Sequence, residues 1–257
     1  MTVATFQTAI DGVNPFTVEG PAVLGSGVIV PQFRPGHVAY GDAETEWVYC
    51  KYTSVSNQVL KPGLLFTVDD DFTATLLTTA NSPRGSKVMV CGVGLGYGGQ
   101  PVTTVTGSVY YLWLARSGQM PIAYTTVATL GNLAETTATG GAANFPNSAT
   151  VSSKLITGLY VTKAVGGTFT GTTVNGSPNV TLAPGQLTAD SGPSWIGSTL
   201  SATGIAASQT ILSLVWNGTN IVGLVLSANA TASGTVTITN SLVAQARIMW
   251  PYVDKTN

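Results

Sequence analysis

Charge is scarce in this chain. Acidic and basic residues make up 8% of 257 residues, against ~25% in a typical soluble domain. With a formal net charge of -1, no long-range field draws it to nucleic acid or to an anionic membrane. Its ten basic residues form neither a stripe nor a run, so the electrostatic footprint of a nucleic-acid binder is missing. Histidine occurs once, at His37, and cysteine twice, at Cys50 and Cys91. That is too little for a Cys/His zinc set or a disulfide framework. The two cysteines read as buried small hydrophobes of a protein made in a reducing cytoplasm. A disulfide between them stays open, because both fall on predicted strands of the same half. The opening MTVATFQTAIDG has no basic start and no apolar run, which predicts no secretory leader. The most apolar stretch, residues 211–226, is broken by Asn217, Gly218, Asn220 and Gly223. It falls short of the ~20 apolar residues of a membrane-spanning helix.

What is present is β-forming. Hydrophobic residues reach 44%, with 30 glycines and abundant Thr, Ser, Ala and Val. No segment joins a 3.6-residue period to both helix caps. Aromatic and β-branched runs at 47–52, 64–68, 72–79, 87–93, 108–115 and 120–127 are separated by turn residues such as Lys61-Pro62-Gly63 and Asn81-Ser82-Pro83. Short strands at that spacing predict an all-β chain with a compact barrel or sandwich core.

Three regions are distinguishable. Residues 1–40 carry Pro15, Pro21, Pro31 and Pro35 and several glycines, with Phe6, Phe16 and Phe33 as spaced apolar anchors. Proline stiffens the chain and pushes the preceding residue to extended backbone, so this is an extended N-terminal arm. It either docks on another surface or folds back on its own domain. Residues 41–165 with 241–257 form the β core. Within it, 131–153 read as a long irregular loop, and 154–165 are expected to pair with 242–253. That pairing makes 166–240 an inserted, sandwich-like module. Between Lys163 and Arg247 the only acid or base is Asp190. Five β-branched runs lie inside the module, and the Asn217-Gly218 step predicts a hairpin. Without charge its edges lack the usual protection against pairing, which suits packing beside copies of itself or projecting from a particle.

The residues offer little chemistry. Asp69-Asp70-Asp71 lacks the spacing of a calcium loop and reads as a solvated turn. Glu44 and Glu46 share a face without a glycosidase-like setting. Residues 94–99 match Gly-x-Gly-x-x-Gly, but Pro101 and Val102 follow where a dinucleotide fingerprint must open a helix. No Gly-x-Ser-x-Gly elbow accompanies His37. Asn175, Asn179, Asn217 and Asn229 fit the glycosylation triplet, as chance matches in a Thr-rich chain. No enzyme activity, cofactor or metal is expected.

The order Trp47-Val48-Tyr49, Val59-Leu60-Lys61-Pro62-Gly63, Phe66-Thr67-Val68-Asp69 and Leu76-Leu77-Thr78 resembles the head decoration (cement) proteins of tailed bacteriophages. Residues 88–93 and Tyr111-Leu112-Trp113-Leu114-Ala115-Arg116-Ser117-Gly118 continue the likeness, the last as a strand ending in a short turn. Residues 197–205 and 226–234 resemble Gly/Thr-rich modules of phage virion proteins. The resemblance implies a structural virion protein, made in the bacterial cytoplasm and seated on the capsid exterior. Its partner would be the major capsid protein, and it would be a homo-oligomer, with a trimer favoured. Phe6, Phe16 and Phe33 are then candidate capsid contacts. The alternative is a head-fibre or tail-associated receptor-binding protein, with Trp195 and Trp216 facing outward to stack on host glycan.

Overall fold

The computed structural model describes residues 13–20, 31–41, 44–54, 57–93, 103–105, 107–165, 168–183, 185–187, 200–206, 209–218, 220–240 and 243–256. Every regular element among them is a β-strand. The N-terminal segment contributes β1 (Val18–Glu19) and β2 (Val38–Tyr40). Then come β3 (Glu46–Thr53), β4 (Gln58–Leu60), β5 (Leu65–Val68), β6 (Thr73–Leu76), β7 (Lys87–Cys91) and β8 (Thr103–Val105). The 20-residue β9 (Val109–Ala128) leads to β10 (Leu133–Thr136), β11 (Ala143–Phe145) and β12 (Lys154–Val165). A second set comprises β13 (Thr168–Thr173), β14 (Asn179–Leu182), β15 (Leu200–Ser201), β16 (Ile211–Asn217), β17 (Asn220–Leu226) and β18 (Gly234–Asn240). The last strand is β19 (Val243–Thr256).

The first half closes on itself as a barrel. Leu114 of β9 faces Val48 of β3 on one edge and Cys91 of β7 on the other. From β7 the ladder runs to β5, to β6 and, in parallel, back to β3. Alternate residues point to one face of a strand, and here one parity fills the barrel. Val48, Cys50, Tyr52, Phe66, Val68, Ala74, Met89, Cys91, Leu112 and Leu114 form a single buried cluster. Both thiols are free and lie within it, so the disulfide alternative is corrected: they act as small hydrophobes. Burial pushes the Cys91 thiol up to about 12 and raises Cys50 as well, which leaves neither a nucleophile.

The other parity is buried too, under a second ring. From Ser117 to Ala123, β9 pairs with β19, and β19 pairs with β12. The circuit returns through β10 and β11, which runs parallel to the end of β9. Met120, Ile122, Phe145, Ile156, Leu159, Ala246 and Ile248 join Trp47, Tyr49, Val90 and Trp113 in one core. Each large side chain so buried is worth roughly 1.5–3 kcal/mol.

Two readings of the sequence are corrected here. Residues 131–153 are not a structureless loop, because β10 and β11 lie within them and Ala134, Ala143 and Phe145 are fully buried. Small residues carry that strand pair, and the hydrophobic pattern hides it. Arg116-Ser117-Gly118 does not turn the chain but bends a continuous strand. The register slips between Glu46↔Ser117 and Trp47↔Ala115, leaving Arg116 as the extra residue of a bulge. Gly118 next to it has φ +107, and a Cβ there would lie 2.9 Å from Thr45 Cα.

β12 and β19 pair from Lys154↔Thr256 to Val165↔Val243. The chain between them builds a six-stranded sheet in the order β15-β18-β13-β14-β17-β16. Its apolar cluster, from Phe169 to Ile238, shares no residue with the other two. The β16–β17 hairpin closes at Asn217↔Asn220, with Gly218 at φ +63. Glycine takes that backbone without the cost other residues meet.

Candidate functional site

The described parts of the N-terminal arm lie on the chain's own core. Phe16 meets Trp47 edge-on with ring centroids 5.8 Å apart. Phe33 packs against Tyr49 at 5.5 Å and Trp113 at 5.3 Å and stacks on His37. Tyr49 in turn stacks on Tyr111 at 5.7 Å and tilts against Trp113 at 5.1 Å. Glu19, held on β1 by the Glu19↔Tyr111 pairing, accepts the Tyr49 hydroxyl and the Gln32 N–H. Burial, reinforced by the Glu19 carboxylate, raises the Tyr49 phenol well above its ordinary value. The Glu19 bonds and the rings of Phe16, Phe33 and His37 thus strap residues 13–20 and 31–41 over the aromatic wall. Phe6 lies outside the described residues.

Of the two tryptophans singled out in the module, Trp195 also lies outside the described residues. Trp216 is half-buried and packs against the module's own cluster. Asp69 caps its own turn by accepting the N–H of Asp71 at 3.0 Å and of Thr73 at 2.7 Å. Asp70, fully exposed, pairs with Lys87 at 2.7 Å, which holds its carboxyl below the usual range. The triple acid is therefore a solvated turn. Among the described residues no group of three His, Cys, Asp or Glu could hold a metal ion. No helix among them is long and apolar enough to cross a membrane. A shallow cleft of about 320 Å³ between Tyr52, Gln58, Leu76, Thr78 and Asn81 is lined by apolar surface as well as hydroxyls and amides, and by no carboxylate or base.

The distinctive surface lies at one mouth of the barrel. Tyr40↔Glu46, Glu46↔Ser117 and Ser117↔Met249 are direct cross-strand partners, so the four form one row across β2, β3, β9 and β19. With strands about 4.8 Å apart, that row spans roughly 14 Å. Glu46 and Arg116 continue the inward parity of Val48 and Leu114 and form a part-buried ion pair. The Arg116 guanidinium then lies 4.1 Å above the Trp250 ring, within cation–π range. Beside it, Arg247 pairs with Glu44 in solvent, and the Ser117 hydroxyl donates to the Glu44 carbonyl at 2.7 Å.

This surface is built against local backbone preference. Ile248 faces Leu159 and Tyr252 faces Thr157, so Met249, Trp250 and Pro251 together oppose Gly158 alone. The bulge closes because position 158 is glycine: a Cβ there would sit 2.5 Å from the Met249 carbonyl oxygen. Met249 and Trp250 are thereby thrown outward, 54% and 61% exposed, in line with Tyr40 at 74%. Trp250 has φ 51 and Glu44 φ 61, two of the four non-glycine residues in the left-handed region among the described residues. Such strain costs of order 1–3 kcal/mol per residue and gathers at functional positions.

Sequence reasoning passed over this patch. Trp250 lies within the run 242–253, which is expected only as a strand pairing with 154–165, and Arg116 is expected in a turn. The available signal was Trp250-Pro251 inside a predicted strand, since proline in a strand marks an edge or a bulge. No protein-family model matches the chain, and no similar protein was found among curated sequences or solved structures.

Proposed function

We propose that this chain is a structural virion protein of the phage decoration type, binding the outer surface of a capsid and stabilising the shell. The observation that carries this reading is the division of labour within one chain. All acids and bases except Asp190 lie outside the inserted region, on the segments that build the double-ring body. The described module strands between β12 and β19 hold hydroxyls, amides, aliphatic side chains and the rings of Phe169 and Trp216, with no acid or base among them. A body with an ion-pair-flanked aromatic patch suits a specific protein contact, while a neutral β module suits a crowded particle surface. The sequence resemblance to decoration proteins points the same way.

The test uses the whole chain, because removing residues 1–40 would also strip Phe16 and Phe33 from the core they cover. Purified protein is mixed with expanded, undecorated capsids of the parent phage and imaged by electron cryo-microscopy. Regular density over the outer shell is the expected result. Bare shells, with protein confined to a vertex or the tail, would replace this reading with receptor binding.

A further inference from the structure

We propose that Asn217 is a site of spontaneous modification, where the side-chain amide is lost to the backbone nitrogen of Gly218 and a carboxylate is left on the edge of the charge-poor module. An Asn-Gly step favours this reaction, because glycine has no side chain to keep its nitrogen from the Asn carbonyl carbon. The Gly218 nitrogen attacks that carbon, and a new carbon–nitrogen bond closes a cyclic imide. The amide nitrogen leaves as ammonia, taking the Gly218 proton. Water then opens the ring at either carbonyl, giving aspartate or isoaspartate. No oxidant or reductant takes part.

The chain has two such steps, Asn175-Gly176 before Ser177 and Asn217-Gly218 before Thr219, so local sequence barely separates them. The fold does. Both asparagines are exposed, and both glycines are left-handed, at φ +79 and +63, with open space where a Cβ would stand. The first turn is tied down on every side. The Gly176 N–H donates to the Ala230 carbonyl at 2.9 Å, and the Ala230 N–H donates to the Ser177 carbonyl at 2.8 Å. The Asn175 N–H donates to Ser233 Oγ at 2.8 Å. A nitrogen whose proton is committed to a carbonyl attacks only after that bond opens. Among the described residues nothing accepts the Gly218 N–H. Asn217↔Asn220 is the last pair of its hairpin, the register slips just before it between Val215 and Trp216, and β16 is the outermost strand of its sheet. Opening is easiest where so few bonds hold the backbone. Each converted copy gains one negative charge at the end of an edge strand, where charge guards against unwanted pairing.

The full chain, kept at mildly alkaline pH and sampled over days, tests this by peptide mass spectrometry, which reads the exchange of amide for acid at each asparagine. In the folded chain Asn217 is expected to convert about tenfold faster than Asn175, the factor that one hydrogen bond supplies. In urea the two rates are expected to become equal, because the tie to Ala230 is gone. Isoelectric focusing gives a second readout. An acidic form should accumulate at the same rate in the natural protein and in Asn175→Gln, and far more slowly in Asn217→Gln. Equal rates in the folded chain, faster loss at Asn175, or a difference that survives in urea would each overturn the proposal.

Discussion

The body and the inserted module close their cores by different means. The body uses large rings and ionised groups: Trp47, Trp113, Tyr49, Phe66 and Phe145 are all fully buried or nearly so. Its polar groups are settled by carboxylates, as when Glu135 accepts the Ser153 hydroxyl at 2.9 Å. The module relies on Ile, Leu and Val around Phe169. Neutral groups settle its loops: Thr173 donates to the Ala232 carbonyl at 2.9 Å, and the Thr210 N–H reaches Ser227 Oγ at 2.9 Å. The difference teaches that the body carries the pH- and salt-sensitive part of the stability. Nothing in the module's described residues titrates.

The largest blow to this contrast should fall on the aromatic wall. Trp113 contacts Phe33, His37 and Tyr49, and Trp113→Ala is expected to cost about 3–5 kcal/mol. Urea unfolding measures the loss. Limited proteolysis should find new cuts within 31–41, because the strap loses the ring that Phe33 rests on. An unchanged proteolytic pattern would mean the strap is held by Glu19 rather than by the aromatics.

Next in size is the module's own core. Leu224 is fully buried in the separate cluster, and Leu224→Ala is expected to cost 2–5 kcal/mol. Hydrogen exchange should show the loss in β13–β18 while β3, β7 and β9 keep their protection. Equal loss in both would show that the two cores unfold as one.

A smaller, graded effect separates the two regions by pH. Cys50, Cys91 and Tyr49 all have folded values raised by burial. Their contribution is fully present below the unfolded values and is lost as pH rises through the folded ones. Body stability should therefore hold level to about pH 8 and fall above pH 9, at roughly 1 kcal/mol per pH unit for each group engaged. Tyr49→Phe should remove one group's share of that slope. The module's exchange protection should not follow it.

How much of this was legible depended on what carried each element. Where β-branched and aromatic residues alternate, as in 46–53 or 220–226, sequence and structure coincide closely. The pairing of 154–165 with 242–253 was readable because both runs are long, apolar and aromatic at one end. β10 and β11 were not, since Ala134, Ala143 and Thr136 are buried by a ring closure that no local pattern encodes. The long β9 escaped for the opposite reason: Arg116-Ser117-Gly118 is good turn chemistry, overruled by partners on both sides. The Trp250 patch depends on a bulge set by Gly158, some 90 residues upstream, so its geometry belongs to register rather than to spacing.

The smallest expected effect tests the neutral half of the contrast directly. Thr173 is almost fully buried, and its hydroxyl lies within reach of the carbonyls of Ala232 and Gly234, at 2.9 and 3.2 Å. Thr173→Val keeps the shape and leaves those carbonyls short of a donor, at a cost of about 1 kcal/mol. Because no charge is involved, the loss should be the same at low and high salt and from pH 5 to pH 9. A loss that varied with salt or pH would mean the module draws on charges of the body, and the two regions would have to be treated as one electrostatic unit.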